Sequence, residues 1–205
     1  MLKINFLGDS ITAGALASKE ENNFVSLVGK TNHAITRNYG IGGTRIAKAM
    51  HPSLDPRCDA YFASRVSSMD NDADYIFVFG GTNDYGHGSA PFGKLGDKTA
   101  DTFFGAIDDL INELLKYYKK EQIIFMIPLY RIDETSCNEH PLSDFRAAIE
   151  QVVNFYGIKI LDLKDKMGVT KDNPYIADGL HPNDLGHRYL AELISEYIQN
   201  TLLNN

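Results

Sequence analysis

Leu2-Lys3-Ile4-Asn5-Phe6-Leu7 runs directly into Gly8-Asp9-Ser10-Ile11-Thr12-Ala13-Gly14. The first six residues form a short apolar run that reads as an opening β-strand. Gly8 lacks a Cβ, and a sharp turn through positive φ is expected there. In an open parallel sheet, ligands bind beyond the carboxyl ends of the strands. Ser10 is thereby placed where chemistry is done in such folds. A free serine hydroxyl is a weak nucleophile and needs a base, an orienting partner and oxyanion donors.

Working outward, Glu20–Lys30 carries Phe24, Leu27 and Val28 at helical spacing. Ala34–Asn38 reads as a second strand, leading to Gly40-Ile41-Gly42-Gly43-Thr44 and then a helix over Arg45–Met50. Pro56 is suited to open a helix whose apolar face holds Tyr61, Phe62, Val66 and Met69. Tyr75–Phe79 is apolar throughout, as a strand buried on both faces must be, and ends at Gly80-Gly81-Thr82-Asn83-Asp84. Tyr85–Lys98 reads as a glycine-rich loop. A long amphipathic helix follows from Phe103 to Tyr118. Ile123–Ile127 is a fourth strand, Tyr130–His140 a polar loop, Leu142–Phe155 a helix and Ile158–Leu163 a fifth strand. The last helix carries Leu185, Tyr189, Leu190, Leu193, Ile194, Tyr197 and Ile198. Strands alternating with helices predict an α/β fold with helices on both sheet faces, in one domain spanning residues 1–205.

The chain holds 43% hydrophobic and 23% charged residues, ordinary for a globular protein, and its formal net charge is −7. Such an acidic balance argues against a nucleic-acid partner. Cys58 and Cys137 are too few for a disulfide scaffold and fit no metal-ligand spacing. The six residues before Gly8 are too short for a signal-peptide core, and no run reaches membrane-spanning length, so a cytoplasmic protein is expected.

The blocks Gly8-Asp9-Ser10, Asn38–Gly43, Gly81-Thr82-Asn83-Asp84 and Asp178-Gly179-Leu180-His181 occur in that order across the chain. In these the sequence resembles the SGNH hydrolases, also called the GDSL family, with Ile11 where leucine is usual. The resemblance implies a three-layer α/β/α, flavodoxin-like sheet of five parallel strands. It also implies a cofactor-free hydrolase of esters or thioesters acting on a small-molecule substrate. Ser10 would attack the acyl carbonyl, and His181 would take and return the proton. Asp178, three residues earlier, would fix the imidazole tautomer. The oxyanion would be held by the backbone N–H groups of Ser10 and Gly43 and by the Asn83 amide.

Each residue also has a plainer reading. Ser10 could cap the next helix, and His181 before Pro182 could be an ordinary loop histidine. Asp9 is read as the cap and Asp84 as a residue that orients its loop. His33, His51, His87, His140 and His187 show no paired ligand spacing, so no metal is expected. His187 is read as structural, and His51, His87 and His140 fall in loops, with His87 or His140 candidates to line a cleft. Gly88–Leu95 lacks the hydroxyl of a P-loop, and Gly40–Arg45 lacks the sixth-position glycine of a dinucleotide site. The favoured activity is hydrolysis of short-chain acyl esters through an acyl-enzyme, with carbohydrate deacetylation in view. Lysophospholipase or acyl-thioesterase activity on the same triad is the alternative, and a flavodoxin-like binding module is the reading from another class.

Overall fold

The computed structural model describes residues 1–168 and 173–203. Its strands are β1 (Lys3–Gly8), β2 (Ile35–Gly40), β3 (Tyr75–Phe79), β4 (Ile123–Met126) and β5 (Lys159–Leu161). They form one sheet in the order β2-β1-β3-β4-β5, with every neighbouring pair parallel. This is a doubly wound α/β sheet of the flavodoxin type, whose order reverses between β1 and β3. Gly8, at the end of β1, pairs in register with Gly40 of β2 and Phe79 of β3. The loops leaving these three strands therefore start at one level, around the crevice that the reversal opens.

The helices are α1 (Ser10–Ala13), α2 (Phe24–Thr31), α3 (Phe62–Arg65), α4 (Thr82–His87), α5 (Phe103–Leu115), α6 (Leu142–Phe155), α7 (Lys164–Met167) and α8 (Asp184–Tyr197). Side chains alternate across a strand, and β3 shows the consequence. Ile76 and Val78 join the core under α3, α5 and α6, whereas Phe77 and Phe79 join the core under α2 and α8. Each fully buried side chain of this size contributes about 1.5–3 kcal/mol. An unbroken apolar run is thus what a central strand with helices on both faces requires.

Several local expectations are corrected. Arg45–Met50 is not helical. Its amides are taken by distant acceptors: Ile46 N and Ala47 N donate to the Asp84 carboxylate at 2.9 and 2.8 Å, and Lys48 N donates to Ala100 O at 2.9 Å. The helix expected from Pro56 is broken into a 3-10 turn at Pro56–Asp59, the single turn of α3, and a second 3-10 turn at Val66–Ser68. Phe62 N bonds to Arg45 O at 3.0 Å instead of continuing the first turn. Glu20–Lys30 likewise divides, because Asn23 is extended and its side chain caps α2 at Val25 N. Tyr85, Gly86 and His87 are helical, not loop, since α4 begins straight after β3. Gly8 does not adopt positive φ. Its need is for space: a Cβ there would lie 2.0 Å from Thr12 Oγ1 and 2.8 Å from Phe79 O.

Candidate active site

Ser10 opens α1 directly after β1, and the preceding Asp9 caps that helix by accepting from Ile11 N at 3.0 Å. The cap is therefore Asp9, which frees the Ser10 hydroxyl for another partner. That partner is His181, whose Nε2 lies 2.9 Å from Ser10 Oγ. The two residues are 171 positions apart in sequence.

The segment carrying His181 is closed on itself. An isolated bridge joins Ile176 to Pro182, and Ala177 N donates to His181 O at 3.0 Å. Within it, Asp178 Oδ1 accepts from Leu180 N and His181 N at 3.0 and 2.7 Å, and Asp178 Oδ2 lies 2.7 Å from His181 Nδ1. Burial works to raise the Asp178 pKa, but the bonds from the His181 ring and the two amides outweigh it and hold the carboxyl below its ordinary value. An ionised carboxylate only accepts, so Nδ1 carries the ring proton. Nε2 is left bare, facing the serine hydroxyl. The Tyr130–His140 segment braces this arrangement, with Ile132 N donating to Gly179 O at 2.9 Å.

Gly43 and Asn83 arrive on the neighbouring loops. Gly43 has φ of +76°, and a Cβ there would lie 2.6 Å from Cys58 Sγ, so only glycine fits. Asn83, buried on the first turn of α4, donates from Nδ2 to Thr44 O at 2.9 Å. An amide nitrogen has two hydrogens, so one anchors the side chain and the other remains for a ligand. The backbone amides of Ser10 and Gly43 make no hydrogen bond among the described residues.

Two buried carboxylates stand behind the loops. Burial raises the Asp9 pKa to about 7, against the opposing bond from Ile11 N and the charges of His181 and Arg65. Burial likewise raises Asp84 to about 6, despite its bonds to Ala47 N and Ile46 N. Asp84 thus ties the segment after β2 to α4. Arg65 was not singled out in the sequence. It is buried and donates to Tyr39 O, Gly8 O and Thr44 Oγ1 at 2.7, 3.1 and 3.2 Å. One guanidinium therefore joins the ends of β1 and β2 to the segment that holds Asn83. The signal for it was a lone charge between Phe62 and Val66 in an apolar stretch.

His187 and His140 lie away from this series. His187 is buried against Phe24 with Nε2 at 3.1 Å from Ala15 O, a structural position. His140 stacks on Phe92 with ring centroids 4.2 Å apart, joining the two long loops. Among the described residues, no group of three His, Cys, Asp or Glu side chains could hold a metal ion. No described helix is long and apolar enough to cross a membrane. A hollow of about 470 Å³ lies beside α1, lined by residues including Ala13, Lys19, Asn23 and Asn38, but Ser10, Asn83 and His181 do not border it.

A hydroxyl, an imidazole and a carboxylate stand in series at the carboxyl edge of a doubly wound sheet, an arrangement of the kind that nucleophilic hydrolases use. The comparisons agree in class: the GDSL-like Lipase/Acylhydrolase family model matches residues 6–189, and the chain belongs to that family of ester hydrolases. No match was found among curated proteins. A solved structure of a protein from Lactobacillus plantarum is similar at 28% identity and a TM-score of 0.82, covering 98% of each chain. The lipase/acylhydrolase from Enterococcus faecalis shares the fold at 20% identity and a TM-score of 0.69, covering 98% of this chain and 96% of that one.

Proposed function

We propose that the protein is a serine esterase that cleaves short-chain acyl esters through an acyl-enzyme. Ser10 Oγ attacks the acyl carbonyl while His181 Nε2 takes its proton. The imidazolium then gives that proton to the departing alcohol, and water repeats the sequence on the acyl-serine. Asp178 holds the imidazole in the required tautomer. The backbone N–H groups of Ser10 and Gly43 and the second Asn83 hydrogen receive the negative oxygen of each tetrahedral intermediate.

The observation that carries this reading is the unbroken series Ser10 Oγ–His181 Nε2 at 2.9 Å and His181 Nδ1–Asp178 Oδ2 at 2.7 Å. A binding module has no use for that series. The preference for short acyl groups is supported by the two long segments Tyr85–Lys98 and Tyr130–His140, which are rich in glycine and polar residues and offer no long apolar lid for an extended acyl chain. An acetyl group on a carbohydrate or other polyol is consistent with that composition.

The test is labelling by a fluorophosphonate, which should modify the protein once and fail on Ser10→Ala. Labelling that survives this substitution removes Ser10 as nucleophile. A series of 4-nitrophenyl esters should then show kcat/KM falling beyond about four acyl carbons. A preference for long chains would favour the lysophospholipase or thioesterase reading instead.

A further inference from the structure

Beyond Asn83, α4 continues for one turn and ends at His87. Residues four apart share a helix face, and these two reach the same neighbouring segment. Asn83 Nδ2 meets Thr44 O at 2.9 Å, and His87 Nδ1 lies 3.4 Å from Nη1 of Arg45, the next residue. Arg45 is buried and fixed from its other side. Its Nη2 donates to Ser53 Oγ at 3.0 Å, Cys58 O at 3.1 Å and Asp59 Oδ1 at 3.4 Å.

The chemistry of this contact settles the state of the histidine. A guanidinium only donates hydrogen bonds, so His87 Nδ1 accepts and the ring proton sits on Nε2. Partial burial of the ring, followed by the Arg45 charge, lowers the His87 pKa from its ordinary value and favours the neutral form. The residue is nevertheless exposed, and Nε2 has no protein partner among the described residues. A neutral N–H of fixed tautomer thus stands one helical turn from the Asn83 amide. Cys58, whose carbonyl holds Arg45, also places its Sγ against Gly43. The Arg45–His87 pair is therefore contiguous with both Gly43 and Asn83.

We propose that His87, oriented by Arg45, donates from Nε2 to a hydroxyl oxygen on the alcohol portion of the substrate, selecting acetyl esters of polyols over those of simple alcohols. The inference rests on the short-acyl esterase reading above. An acetyl group carries no oxygen beyond its carbonyl, so any further oxygen contact falls on the alcohol. A fixed polar donor discriminates best against substrates that leave it unpaired.

The experiment compares glyceryl monoacetate with ethyl acetate, which share the acyl group and differ in alcohol hydroxyls. Wild type should favour glyceryl monoacetate in kcat/KM by about fivefold or more, the worth of one neutral hydrogen bond. His87→Phe should abolish that ratio, mainly through KM, and His87→Gln, which keeps an N–H donor, should retain most of it. A wild type without the preference overturns the proposal. So does a His87→Phe protein that loses activity equally on both esters, since that is the signature of a structural role. A wild type that takes the fluorophosphonate label yet leaves glyceryl monoacetate intact also overturns it, while the esterase reading stands. Absence of both labelling and hydrolysis would defeat the esterase reading, and the His87 assignment with it.

Discussion

The Asn83 side-chain amide donates to the Thr44 carbonyl across 2.9 Å, tying the first turn of α4 to the segment that follows β2. One bond fixes the amide while its second hydrogen stays available. Asn83→Ala should lower kcat by a factor of about one hundred or more with little change in KM, because in the proposed mechanism the lost donor acts on charge that exists only in the transition state. Steady-state kinetics on 4-nitrophenyl acetate check this. An unchanged kcat would remove Asn83 from the oxyanion site.

Asp178 makes two backbone bonds within its own turn besides its bond to His181. Asp178→Asn can keep the turn through its carbonyl oxygen, but its amide would face Nδ1 as a donor and turn the imidazole to the wrong tautomer. We expect kcat to fall by roughly a thousandfold or more, with the melting temperature little altered. Fluorophosphonate labelling should slow in parallel, and labelling at the wild-type rate would argue that the tautomer is set elsewhere.

Asp9 yields a prediction about stability and pH. Its pKa in the folded protein is raised from 3.8 to about 7, chiefly by burial. Between those values the native state binds a proton that the unfolded chain has released, so this group makes stability fall as pH rises from about 4 to 7. The penalty is absent below that window and complete above it, on the order of 4 kcal/mol at most. Asparagine caps helices as well as aspartate does. Asp9→Asn should therefore raise the melting temperature above pH 7, and the gain should shrink towards pH 4.5. A difference independent of pH would contradict the assignment.

Arg65 connects Gly8 O, Tyr39 O and Thr44 Oγ1, and burial lowers its own pKa to about 10, still well above neutrality. Arg65→Met should cost roughly 3 kcal/mol by stranding buried acceptors. It should also lower kcat more than it raises KM, because the ends of β1 and β2 would lose their common tie. Arg65→Lys should recover part of the stability but less of kcat, since an ammonium cannot span the same acceptors. Denaturant unfolding and kinetics on the same samples separate the two effects.

Much of this protein was legible in one dimension. The apolar runs Tyr75–Phe79 and Ile123–Ile127 specify central strands because a sheet covered on both faces has no polar side. Leu142–Phe155 forms the expected helix to the residue. The triad candidates were marked by four short blocks in a family-like order, since Ser10 and His181 taken singly read as a helix cap and an ordinary loop histidine. What composition and spacing could not express was any bond between distant segments. The Arg45–Met50 stretch has helical character, yet the Asp84 carboxylate captures its amides from 37 and 38 positions away. Arg65 and the Arg45–His87 pair likewise take their meaning from partners brought near only by the winding of the sheet. Short-range preferences select strands and helices, whereas the meeting of Ser10 with His181 requires the segment after β5 and α7 to reach back along the carboxyl edge of the sheet, past β4 and β3, to the end of β1.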